Sequence, residues 1–167
     1  MMEKTREKWG YKKWGYIRNG LVVLLVLFVI LDLWGGRGGD ADMETLVAEV
    51  TKAAGMEGGR PAGARMVKRF YGLNPGDYES VVLYAPADNM DARELLIVKL
   101  ATPSQREEVE KAVQGRLDVQ LDSFDGYGAE QTALLEAHVL RAKGDYVLYI
   151  VHERADEAGA AFEKAFR

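Results

Sequence analysis

Apolar residues in this chain recur with a helical period, with a strand period and, once, with no period at all. Leu46, Val47, Val50 and Ala54 fall on one helical stripe, with Asp42 placed to cap the helix and Gly55 to stop it. A loop rich in glycine follows, and the spacing then predicts a second helix over Ala64 to Tyr71 with Met66, Val67 and Phe70 inward. Gly72 is a natural left-handed cap for it, with Leu73 packing back. Asn74-Pro75-Gly76-Asp77 reads as a turn in which Pro75 supplies the fixed φ and Gly76 a positive one.

Tyr78 to Ala85 and Arg93 to Ala101 are rich in Val, Ile, Leu and Tyr and read as two strands of a hairpin, joined by Asp88-Asn89-Met90-Asp91. Thr102-Pro103-Ser104-Gln105 carries the capping-box pattern, and the helix after it places Val109, Val113, Leu117 and Leu121 at a spacing of four. A shorter helix from about Ala129 to Glu136 leads to a second hairpin, His138 to Ala142 and Tyr146 to Glu153, turning at Gly144-Asp145. Asp156 is placed to cap a last helix with Phe162 and Phe166 inward.

A hairpin followed by a helix thus occurs twice. A shift of 53 residues superposes Leu95, Ile97 and Val98 on Leu148, Ile150 and Val151. Four mostly antiparallel strands with helices packed against them define an α+β fold over residues 42–167.

The aperiodic run is Leu21 to Leu31, extended to Gly20–Trp34 at the cost of Asp32. As a helix, its fifteen residues span about 22 Å, against a bilayer hydrocarbon core of about 30 Å. A membrane anchor, the apolar region of a cleaved signal peptide and a buried helix of a soluble core are the three readings. The buried helix sits poorly beside Gly35-Gly36-Arg37-Gly38-Gly39, which has the composition of a spacer. A signal peptide would find its small cleavage-site residues in Gly36 with Gly38, or Gly39 with Ala41.

Charge and flanking aromatics favour the anchor. The leader, residues 1–19, holds six basic residues against Glu3 and Glu7, whereas the chain from Gly35 onward holds 16 basic and 23 acidic residues. Trp-Gly-Tyr occurs at residues 9–11 and again at 14–16, and Trp34 closes the far end. Such residues collect at membrane interfaces, and positive charge stays inside. The expected order is a basic cytoplasmic leader (1–19), a transmembrane anchor held by the lipid bilayer (20–34), a spacer (35–41) and an extracytoplasmic domain (42–167). Secretion after signal cleavage is the alternative.

Composition narrows the chemistry. Hydrophobic residues make up 48% and charged residues 29%, the balance of a chain that folds. The absence of cysteine removes disulfides, thiolate nucleophiles, sulfur-ligated zinc and a lipidated cysteine. An acidic domain argues against nucleic acid as a partner.

No sequence feature supplies a cofactor, metal or catalytic set. His138 and His152, the only histidines, could lie opposite one another in a hairpin, but no third ligand is evident. Asp40, Asp42 and Glu44 alternate like a calcium loop, yet Thr45 and Thr51 stand where its glycine and glutamate belong. Gly126-Tyr127-Gly128 lacks the third glycine of a dinucleotide loop, with Gln131 in its place. Phe124 to Gln131 is aromatic and glycine-rich between two helices. It fits a binding loop with Tyr127 and Gln131 as the interaction residues, and equally a connection whose Phe124 and Tyr127 plug the core.

Taken together, Phe70-Tyr71-Gly72-Leu73, Asp77-Tyr78, Glu94-Leu95-Leu96-Ile97-Val98-Lys99, Phe124 with Tyr127 and Gln131, and Gly144-Asp145-Tyr146-Val147 resemble an uncharacterised family of bacterial cell-envelope proteins. Its members carry a domain of unknown function after a signal peptide, a lipoprotein signal or a membrane anchor. The resemblance covers about Asp42 to Phe166 and implies placement outside the membrane, while assigning no catalytic residue. The functional expectation is a membrane-tethered binding or protein-interaction module of the envelope with an envelope protein as a partner. Alternatives are an envelope enzyme acting on wall or lipid material, and a structural subunit of a membrane complex.

Overall fold

The computed structural model describes residues 42–166. The expected leader, transmembrane anchor and spacer lie outside the described residues. Among the described residues no helix is long and apolar enough to cross a membrane.

Helix α1 (Met43–Ala54) begins where the Asp42 carboxylate accepts the Thr45 N–H at 3.0 Å and ends at Gly55 with φ +74°. Helix α2 (Ala64–Tyr71) ends the same way at Gly72. A one-turn 3-10 helix over Pro75–Asp77 replaces the expected turn, and Gly76 is not among the glycines of positive φ. Pro75 opens the 3-10 turn instead, and a 3-10 turn keeps all three residues at negative φ.

Strands β1 (Ser80–Tyr84), β2 (Glu94–Lys99), β3 (Val139–Lys143) and β4 (Tyr146–Val151) form one antiparallel sheet in the order β1-β2-β4-β3. The two hairpins therefore join through their second strands. Central β2 and β4 have apolar layers on both faces, which is why they read as near-continuous apolar runs. The shift of 53 carries Leu96 onto Tyr149, and these two face each other across the sheet centre. That correspondence stops at the strands, because the helices after the two hairpins cover opposite faces.

One face carries α2, α3 (Arg106–Phe124) and α4 (Ala129–Glu136), packed over Leu83, Leu96, Val98, Val147 and Tyr149. The other carries α1 and α5 (Ala155–Lys164), packed over Leu95, Ile97, Leu148 and Ile150. The fold is thus an α+β sandwich of three layers. Arg154, not Asp156, takes the N-cap position of α5. Asp156 stands in the first turn, where a carboxylate still meets the positive end of the helix.

The expected capping box before α3 forms, with Thr102 and Gln105 closing it reciprocally. Its buried stripe is Val109, Val113, Leu117, Gln120 and Phe124, whereas Leu121 is only partly buried. A helix turns about 100° per residue, so a strict spacing of four drifts, and position 121 stands about 120° from position 109. Position 120 stands about 20° away and takes the core place.

Phe124 closes this stripe against a tight backbone. A Cβ at Gly128 would lie 2.6 Å from Cδ1 of Phe124 and 2.9 Å from its Cβ. Gly128→Ala is therefore expected to cost about 1–3 kcal/mol by overpacking, measured by urea unfolding. An unchanged midpoint would contradict this close approach.

Candidate functional site

The most unusual residue in the sheet is Glu94, the first residue of β2, which is fully buried beneath α2 and α3. Burying a carboxylate is unfavourable unless charge and hydrogen bonds compensate. Arg116 of α3 supplies both. Its Nη2 and Nε lie 2.8 and 3.1 Å from Oε2 of Glu94. The Tyr71 hydroxyl of α2 donates to Oε1, and the Phe70 ring lies 4.0 Å beneath the Arg116 guanidinium. Tyr149 packs edge-on to Tyr71, and its buried hydroxyl has no hydrogen-bond partner among the described residues.

Burial, with the Glu94 charge added, raises the Tyr71 phenol well above the ordinary tyrosine value. Burial and the same charge raise Tyr149. Tyr78 is pushed up to about 12, chiefly by burial and then by the Glu108 carboxylate.

Directly above Arg116 lies a cavity of about 630 Å³, within the range of small-ligand sites. Helix α2 contributes Arg69 and Phe70, α3 contributes Arg116, Val119, Gln120 and Phe124, and the β1–β2 loop closes the opposite wall with Asp88 and Asn89. Gln120 is 4% exposed, and its Oε1 is buried without a hydrogen-bond partner among the described residues. A second cavity of about 300 Å³ shares Ala87, Asp88 and Asp91 with the first and is lined also by Met90 and Gln131. A third, of about 350 Å³, holds Tyr84, Arg93 and His152.

Asp91 borders all three cavities and fixes the β1–β2 loop. Its carboxylate accepts the Arg93 N–H at 3.0 Å and Nε of Arg93 at 2.8 Å. Burial works to raise its pKa, but the hydrogen bonds and charge of Arg93 hold it below the ordinary carboxylate value.

The structure separates the two expected interaction residues. Tyr127 is 64% exposed at the rim of the larger cavity, while half-buried Gln131 lines the smaller one across the β1–β2 loop. The ring of Tyr127 lies 6.0 Å from that of Phe124. Phe124 is the core plug, and Tyr127 is not. The two histidines do not face one another, since the register that pairs Val139 with Ile150 would set His138 beside Val151. Asp42 is occupied as a helix cap. Among the described residues no group of three or more side chains could hold a metal ion.

Sequence reasoning missed Arg69, Glu94, Arg116 and Gln120. A signal existed for three of them. Arg116 and Gln120 stand within about 20° of Val109 on the helical wheel of α3, so two polar residues occupy an apolar stripe. Glu94 likewise breaks a strand that is otherwise apolar up to Lys99.

Fold and cavity define a small α+β domain with a polar floor, an aromatic wall and an open mouth. Residues 53–152 match the family described as a domain of unknown function, DUF4358, and the chain belongs to that family. The matched span contains the buried charge cluster and the whole cavity. No curated protein and no solved structure matches the chain.

A raised phenol pKa stabilises the fold fully below the ordinary value of 10.0 and is lost as pH rises through the folded-state values. In a titration of phenolate absorbance, Tyr71, Tyr78 and Tyr149 are expected to stay protonated above pH 10.0 and to ionise late, with unfolding. Simultaneous early ionisation of all eight tyrosines would contradict this burial.

Proposed function

We propose that this chain is a membrane-tethered binding module of the bacterial cell envelope. Residues 20–34 are the anchor, the domain lies outside the cytoplasm, and the ligand occupies the cavity between α2, α3 and the β1–β2 loop. The apolar run, its aromatic collar and the basic leader support the tether and its orientation. One observation carries the binding reading. The large apolar side chains most exposed among the described residues are Met90, Val119 and Tyr127, at 60%, 59% and 64%, and each lines one of the two cavities that share the β1–β2 loop. Apolar exposure concentrated around a polar-floored concavity marks a surface that meets something other than water.

Binding is favoured over acid–base chemistry by a carboxylate pair, because two of the three carboxylates at or beneath the cavity are already engaged and only Asp88 is not. Glu94 is held by Arg116 and Tyr71, and Asp91 by Arg93. Orientation and occupancy can be tested together, because the chain has no cysteine. Ser123→Cys places a single exposed thiol on the cavity wall. A membrane-impermeant maleimide is expected to label it in intact cells, on a full-length, membrane-retained band, and more slowly than in the purified chain because ligand shields it. Labelling only after permeabilisation would overturn the topology, and a shortened soluble band would replace the tether with secretion. Equal rates in cells and in the purified chain would count against occupancy.

A further inference from the structure

We infer that the ligand of the larger cavity is a peptide whose free C-terminal carboxylate follows a bulky apolar side chain, an inference that rests on the binding reading above. It comes from sorting the polar groups of the cavity by whether the fold already uses them. Arg116 is used: Nε and Nη2 are bonded to Glu94, and the pair adds no net charge. Arg69 is exposed and forms no ion pair among the described residues, so it is the uncompensated cation of the α2 wall. On the β1–β2 loop that lines the same cavity, Asp88 uses Oδ1 to accept the Met90 N–H at 2.8 Å and forms no ion pair among the described residues, its charge reaching Arg93 only at longer range. The same lining includes the Gln120 side chain, 4% exposed, whose acceptor oxygen has no hydrogen-bond partner among the described residues.

This division of polar groups selects a ligand. One free cation calls for one negative charge, and the Asp88 carboxylate on the same lining penalises a second. An orphaned buried acceptor calls for an N–H or O–H donor, because leaving it unmet is unfavourable. Phe70, Val119, Phe124 and Tyr127 call for an apolar or aromatic group of substantial size. A fatty acid meets the first and third demands but brings no donor to Gln120. A phosphate monoester brings nearly two negative charges to one free arginine. A peptide C-terminus meets all three, with its carboxylate at Arg69, its backbone N–H at Gln120 and its last side chain against the aromatic wall.

The test uses the full chain in lipid nanodiscs, with affinity from calorimetry and location from amide resonances of residues 119–127. The probes are acetyl-Ala-Ala-Phe as the free acid, its C-terminal amide, the analogue with an ester in place of the last peptide N–H, octanoate and the fluorescent amphiphile ANS. The acid is expected to bind at one site, with the amide and the ester each weaker by about tenfold or more. Arg69→Gln is expected to abolish the difference between acid and amide, and Gln120→Leu the difference between acid and ester. Arg69 is exposed, so its variant keeps the test valid even where the Gln120 variant folds poorly. Equal affinity for acid and amide, or octanoate binding as tightly as the acid, would overturn the peptide assignment. ANS alone shifting residues 119–127 would overturn it while leaving the binding reading intact. No shift from any probe would overturn both.

Discussion

A single carboxylate placed where an apolar side chain belongs constrains this fold more than any other group. Glu94 opens the central strand β2 and is shut off from solvent, so its charge must be met from the helices above it. Arg116 and Tyr71 meet it from α3 and α2. The two helices are thereby fixed in rotation and in height over the sheet at one point, by bonds whose geometry is more demanding than apolar contact. Phe70 stacks on the same guanidinium, which ties the end of α2 to the middle of α3.

The cavity follows from that arrangement. Presenting Arg116 to the sheet brings Gln120, one turn further on, to the same side of α3, with Val119 and Phe124 to either side of that line, and all four reach the cavity. The β1–β2 loop, held by the Asp91–Arg93 pair, forms the other wall. Arg116 is therefore both part of the structural anchor and part of the cavity lining, and the groups left uncommitted are the ones that a ligand would meet. The opposite face, where α1 and α5 pack over Leu95, Ile97, Leu148 and Ile150, has an apolar core with no buried ion pair among the described residues.

Much of the architecture was legible in the residue pattern, because capping and periodicity are local. Asp42 with Gly55, Gly72, the Thr102–Gln105 box and Gly144 mark element ends through bonds within a few residues. The strands were recognisable because central strands buried on both faces are uniformly apolar. The errors arose where a local rule was read too simply or where the partner is distant in the chain. Gly76 yielded to a 3-10 turn, Leu121 lost its core place to Gln120 through helical drift, and Tyr71 turned inward because its hydroxyl meets Glu94 from 23 residues away. The site was harder to read because its contacts join residues distant in the chain. Its aromatic rim at Phe124 and Tyr127 was visible as composition, whereas its floor is a set of pairings between elements that no local spacing encodes.

The claim that Glu94 and Arg116 organise the helix layer is tested most directly by a double-mutant cycle read by chemical denaturation of the full chain. Arg116→Met leaves Glu94 buried beside one phenol, and is expected to cost about 3–5 kcal/mol. Glu94→Leu is expected to cost less, because the Arg116 side chain is 12% exposed and can turn its charge toward solvent. The two together are expected to return stability close to that of the native chain, as apolar replacements of a buried pair do. Losses that simply add in the double variant would contradict the account.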